Sequence, residues 1–310
     1  MMHASAKASV LCVDDEVGVL RSLRWLLQDE FDVETATGAR EALSLLASRP
    51  FDVVISDQRM PDMTGTEFLA EAKLIQPRAM RLLLTGYSDY QAVLDSINQS
   101  EAYRFVNKPW DNSELLRIVS EAAAISRSLS SPPSAEQVPP QRDGTVLVLD
   151  QDPAVWPLVK SIVGATNHVL WAQTTAEAAA MLAQRPVAVM VCESFVAGSS
   201  TLPLLNALKV QSPEIVTMVL TSERDARTVR RLINEGQVFR FVMKPAAAAH
   251  LAAMLHRAIA MHWELVNDPP LQLRYGVDPL QDSGIGALDD SWSPYAVRVR
   301  RRYAGEHQGS

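Results

Sequence analysis

The chain has 310 residues, 47% of them hydrophobic, which fits about two domains with sizeable cores. Its formal net charge of −7 gives no global reason to expect a nucleic-acid or membrane partner. No leader-like segment and no apolar run of about 20 residues stands out, so the chain is expected to be cytoplasmic.

Residues 1–8 are small and polar and are expected to fray. A short apolar run, Ser9–Val13, reads as the first strand, and Leu20, Leu23 and Leu27 form one stripe of a helix from about Val17 to Asp29. A second strand is expected at Phe31–Ala36. Thr37-Gly38 then leads into a helix through Leu46, which Arg49-Pro50 stops. The third strand, from Val53, ends in Asp57. Thr64 followed by Glu67 fits a capping box opening the third helix. The fourth strand is Met80–Leu84, followed by a second capping box (Ser88, Gln91) and a helix to about Asn98. Tyr103–Val106 reads as the fifth strand, and a last helix runs from about Asn112 to Ser126. Five β-α units of this kind predict a doubly wound parallel sheet. Cys12 and Cys192 both lie within strand-like runs and are expected to be buried free thiols.

Four of these strands deliver a polar group at the carboxyl end, where open α/β sheets bind ligands. The groups are Asp14-Asp15 after the first strand, Asp57, Thr85-Gly86, and Lys108-Pro109. Such a set can hold a divalent cation and a phosphoryl group on a carboxylate. With these groups in this order, residues 9–127 resemble a response-regulator receiver domain. The resemblance implies that Asp57 is the phosphoacceptor. It also implies Mg²⁺ bound directly by Asp15, Asp57 and the Arg59 carbonyl, with Asp14 acting through water. Mg²⁺ suits such an oxygen-only set because it takes hard oxygen ligands and keeps several waters.

On the same resemblance Lys108 pairs with Asp57 and then with the phosphoryl group, Thr85 binds a phosphoryl oxygen, and Gly86 leaves room for it. Phe105 is a switching aromatic or simply a core residue. Arg59 and Tyr87 flank the path of hydrolytic water and tune dephosphorylation. The Lys108-Pro109 bond is expected to be cis. The implied phosphodonor is a sensor histidine kinase or a phosphotransfer protein.

Residues 128–143 hold Ser128, Ser130, Ser131, Pro132, Pro133, Pro139 and Pro140 and read as a linker. The pattern then restarts at an offset of 136 positions. Asp14 recurs as Asp150, Thr85 as Thr221, Lys108-Pro109 as Lys244-Pro245, and Arg104-Phe105-Val106 as Arg240-Phe241-Val242. A constant offset indicates duplication without net insertion. The expected fold is therefore α/β: two flavodoxin-like (βα)5 receiver domains in tandem, at 9–127 and 144–266. The second copy departs at its site. Gln151 stands at the position of Asp15 and Glu193 at that of Asp57, with Asp150, Thr221 and Lys244 retained. It is expected to be a pseudo-receiver that is not phosphorylated, with Glu193 paired to Lys244.

Thr174 followed by Glu177 reads as a further capping box, and Ala246–Val266 as a long last helix that packs on its own core or serves a partner or a homodimer. Residues 267–310, with Arg298, Arg300, Arg301 and Arg302 near Tyr295 and Tyr303, are expected to be a disordered tail. No output module is recognised, so output is expected through contacts with a protein that the sequence does not name. The alternatives are an aspartyl-phosphate-forming phosphohydrolase and a regulator touching DNA through the arginine-rich tail.

Overall fold

The structure, a computed structural model, describes residues 7–86, 98, 102–129, 144–223, 225–277 and 280. Tyr87, the Ser88/Gln91 capping box, the linker beyond Leu129, and the arginine cluster all lie outside the described residues. The chain forms two compact units, divided between Pro133 and Ser134.

The first unit is a sheet of β1 (Ala8–Val13), β2 (Phe31–Ala36), β3 (Val53–Asp57), β4 (Met80–Thr85) and β5 (Arg104–Asn107). All neighbours are parallel, in the order β2-β1-β3-β4-β5. Alternate strand residues (Val10 and Cys12, Val53 and Ile55, Leu82 and Leu84) form one buried cluster with Leu20, Leu23 and Leu27 of helix Val17–Leu27. Leu115, Ile118, Val119 and Ala122 of helix Asn112–Ser128 close the same cluster. Period two on the strands meeting period three to four on the helices makes that core.

The third helix, Gly65–Ile75, starts at the predicted place. The Thr64 side chain accepts from the Glu67 N–H, and the Glu67 carboxylate accepts from the Thr64 N–H at 2.9 Å. Gly65 is required here, because a β-carbon on it would stand 2.0 Å from the Asp57 carbonyl oxygen. The close approach draws the helix start onto the end of β3.

The second unit contains β6 (Thr145–Leu149), β7 (His168–Ala172), β8 (Val189–Cys192), β11 (Val216–Thr221) and β12 (Arg240–Met243), in the order β12-β11-β8-β6-β7. This is the first order read from the opposite edge. The registers also coincide at the 136-residue offset. Val10 faces Val33 and Val53, and Val146 faces Val169 and Val189. Leu82 faces Arg104, and Met218 faces Arg240. Lys108-Pro109 and Lys244-Pro245 are both cis. Cys12 and Cys192 are buried free thiols, and burial pushes both up to about 12.

Three details differ from the sequence-based expectations. Thr174 does accept from the Glu177 N–H, but the Glu177 carboxylate reaches the Gln173 N–H instead, one residue early. The short loop after β8 forms a hairpin of β9 (Phe195–Val196) and β10 (Ser199–Ser200), turned by Ala197 (φ 53°) and Gly198 (φ 77°). Two central residues with positive φ give the tight turn whose twist suits a two-stranded ribbon. Third, the chain does not become disordered at residue 267. Helix Ala248–Asn267 buries Leu251, Leu255, Ala258, Ile259 and Leu265 in its own core, and Pro269–Tyr275 continues as a 3-10 helix. Leu271 and Tyr275 pack on that core, and the Gln272 amide donates to the Leu265 carbonyl at 2.8 Å. These anchors outweigh the polar composition that suggested disorder.

Two glycine substitutions should move stability in opposite directions. Gly65→Ala must displace backbone at the end of β3 and should cost about 2 kcal/mol or more. Gly18→Ala, in helix Val17–Leu27 with nothing within 4 Å of the added carbon, should stabilise by about 0.5–1 kcal/mol. Urea unfolding of both variants checks the pair.

Candidate functional site

The carboxyl edge of the first sheet gathers side chains from four strands. Asp14 follows β1 and is fully buried, and its Oδ1 accepts from the Glu16 N–H at 2.9 Å. Asp57 ends β3 at 6% exposure, and its Oδ2 accepts from the Arg59 N–H at 2.7 Å. Thr85 ends β4 and is buried. Its carbonyl accepts from the Lys108 N–H at 2.8 Å, which fixes where Lys108 leaves β5. The Lys108 ammonium lies 2.6 Å from Asp57 Oδ1 and 2.7 Å from Asp14 Oδ2. One cation thus bridges two buried carboxylates that are 43 residues apart in sequence.

The electrostatics follow from this bridge. Burial pushes the Asp14 carboxyl above its ordinary value, against the pull of Lys108 and the Glu16 N–H. Burial pulls the Lys108 ammonium down, but Asp14 and Asp57 outweigh it, and the amine sits above its ordinary value.

Of the anticipated side chains, Asp14, Asp57 and Lys108 meet. Lys108 pairs with Asp57 as expected, and it also takes Asp14, which was expected to act through a water. Phe105 is buried at 2% exposure and Gly86 is partly exposed. Arg59 is exposed, and Tyr87 lies outside the described residues. The side chains anticipated to hold a cation differ in exposure. Asp15 is exposed, and among the described residues no three acidic, His or Cys side chains stand close enough to hold a metal. The donor types nonetheless suit a hard divalent ion, since every anticipated ligand atom is oxygen.

Residues 10–120 match the family described as "Response regulator receiver domain". This segment is a receiver domain. Its curated relatives include two hydrogenase transcriptional regulatory proteins called HoxA. The one from Cupriavidus necator is 39% identical over 116 residues, covering 37% of this chain and 24% of that protein. The one from Bradyrhizobium diazoefficiens is 32% identical over 123 residues, covering 40% of this chain and 25% of that protein. The chain spans about a quarter of the length of these relatives. A solved signal receiver domain of an HD domain-containing protein from Pseudomonas fluorescens Pf-5 is 36% identical, covering 41% of this chain and 95% of its own, with a TM-score of 0.40.

The second unit builds a related cluster outside the matched receiver segment. The Lys244 ammonium lies 2.7 Å from Asp150 and 2.9 Å from Glu193. Glu193 Oε1 also accepts from the Ser194 N–H at 2.8 Å and the Ser194 hydroxyl at 3.0 Å. That hydroxyl is 2.7 Å from the Thr221 hydroxyl. Burial pushes the Glu193 carboxyl up, but hydrogen bonds with Thr221, Lys244 and Ser194 outweigh it, and it lies below its ordinary value. Gln151 does not face this cluster. Its Oε1 accepts from the Ala197 N–H at 2.9 Å and ties the β9–β10 hairpin to the loop after β6. The parts played by Ser194 and by the hairpin were missed at the level of sequence. The Ala197-Gly198 pair between two short runs was the available signal.

Replacing Lys108 by Met should leave two buried acids without their cation. Stability at pH 7 should fall by about 3 kcal/mol. Urea unfolding measures it, and Arg40→Ala, a change at an exposed side chain away from the site, serves as the reference.

Proposed function

We propose that this chain is a cytoplasmic response regulator of a two-component phosphorelay. Asp57 accepts a phosphoryl group from a sensor histidine kinase or a phosphotransfer protein. The observation that carries this reading is the Lys108 bridge to Asp57 and Asp14 at the carboxyl edge of a receiver sheet. In the transfer, an Asp57 oxygen attacks phosphorus while the bond to the donor nitrogen breaks. Lys108 remains beside the product as counter-charge, and Thr85, at the end of the neighbouring strand, offers a hydroxyl to a phosphoryl oxygen.

Asp14, Asp15, Asp57 and the Arg59 carbonyl would hold Mg²⁺. The ion would supply charge neutralisation at the phosphoryl oxygens. Lys108 takes one oxygen of each acid, Asp57 Oδ1 and Asp14 Oδ2.

The second unit is read as a pseudo-receiver that takes no phosphoryl group. Gln151 removes one carboxylate and Glu193 is committed to Lys244 and Ser194. Output is assigned to protein–protein contacts. The HoxA relatives are named as transcriptional regulatory proteins, but the match leaves three quarters of their length outside, so that activity is not carried over.

Incubation with acetyl phosphate and Mg²⁺ should add one phosphoryl group to the intact mass of the wild type and none to Asp57→Ala or to an EDTA-treated sample. Addition that survives in Asp57→Ala contradicts the assignment. A second measurement concerns lifetime. Arg59 is exposed beside the acceptor, and Arg59→Ala should speed loss of the phosphoryl group by opening the approach to water. An unchanged rate removes Arg59 from that role.

A further inference from the structure

In the second site Lys244 and the Ser194 N–H and hydroxyl converge on Glu193. Glu193 is one methylene longer than Asp57 and ends on the sheet's carboxyl edge next to β11 and β12. The residue that donates its backbone N–H differs accordingly. In the first unit it is two positions past the acid, at Arg59, and in the second it is the very next residue, Ser194. The longer side chain therefore carries its carboxylate to a different place. There it meets Lys244 at 2.9 Å and the Ser194 hydroxyl at 3.0 Å, with the Thr221 hydroxyl 2.7 Å beyond. The strand-end threonine and the lysine after the last strand are the groups that the proposed mechanism assigns to a phosphoryl anion. Here they serve a built-in carboxylate.

The surrounding backbone is closed as well. Thr201 stands where the first unit has Gly65, and its hydroxyl donates to the carbonyls of Glu193 and Ser194 at 2.8 and 3.0 Å. Gln151 pins the hairpin turn at Ala197. Glu193 is thus held from its side-chain oxygens and from its own carbonyl.

We propose that the Glu193 carboxylate is a permanent internal occupant of the second unit's anion position, fixing Thr221, Lys244 and the β11–β12 edge in one conformation that no phosphodonor alters. The chain then couples one receiver whose surface depends on phosphorylation to one unit whose surface is constant. This inference rests on the reading that the second unit is not phosphorylated.

Hydrogen exchange of the full chain, read by mass spectrometry with and without beryllofluoride and Mg²⁺, tests it. In the wild type, beryllofluoride should change exchange in Met80–Thr85 and Arg104–Asn107 but not in Val216–Thr221 or Arg240–Met243. Glu193→Ala should raise exchange of the last two segments about tenfold, the loss expected when hydrogen bonds to a charged group go. Glu193→Gln, which keeps the shape and an acceptor oxygen but loses the charge, should fall between, and it stands in if the alanine variant fails to fold. The inference is overturned if both variants exchange like the wild type, or if beryllofluoride alters the second-unit segments in Asp57→Ala. A phosphoryl group found on the second unit would instead overturn the reading beneath it.

Discussion

Each unit is organised around one lysine ammonium held between two acids at the carboxyl end of a parallel sheet. Lys108 joins Asp14 to Asp57, and Lys244 joins Asp150 to Glu193. The acids sit at strand ends because the buried strands before them cannot carry charge, and the sheet order brings β1, β3, β4 and β5 side by side. An unpaired charge there would be expensive, and a like-charged pair more so. The cation makes the edge tolerable, and it also sets what can happen there.

The two units separate what the scaffold dictates from what the chemistry needs. Strand order, register, the cis Lys-Pro bond and the lysine bridge are common to both. Three of the differences lie at or beside the acid site. Asp15 becomes Gln151, Asp57 becomes Glu193 and Gly65 becomes Thr201. Two of these substitutions replace something open with something satisfied: an exposed carboxylate with an amide bound to a hairpin, and a bare backbone with a hydroxyl that bonds it. The fold alone would not distinguish a live site from a silent one; on the proposed reading these side chains do.

Much of this was legible in the chain itself. The strands announced themselves as apolar runs, the Thr64/Glu67 box marked a helix start, and the 136-residue offset carried over to every strand pairing. What escaped was tertiary. Lys108 takes Asp14 as a second partner because the sheet closes a gap of 94 residues, which no local pattern encodes. The β9–β10 hairpin occupies a stretch as short as the loop it replaces, so no change of length betrayed it. Residues 269–275 were assigned to a tail by composition, yet Leu271 and Tyr275 find a core to bury against.

The central claim is that one duplicated scaffold carries a single reactive carboxylate. The most direct measurement is borohydride trapping of the acetyl phosphate-treated full chain, which reduces an acyl phosphate to an alcohol, followed by peptide mapping. The account predicts reduction at Asp57 alone, with every peptide from residues 144–267 unmodified. A reduced residue at Glu193, or none at Asp57, would contradict it.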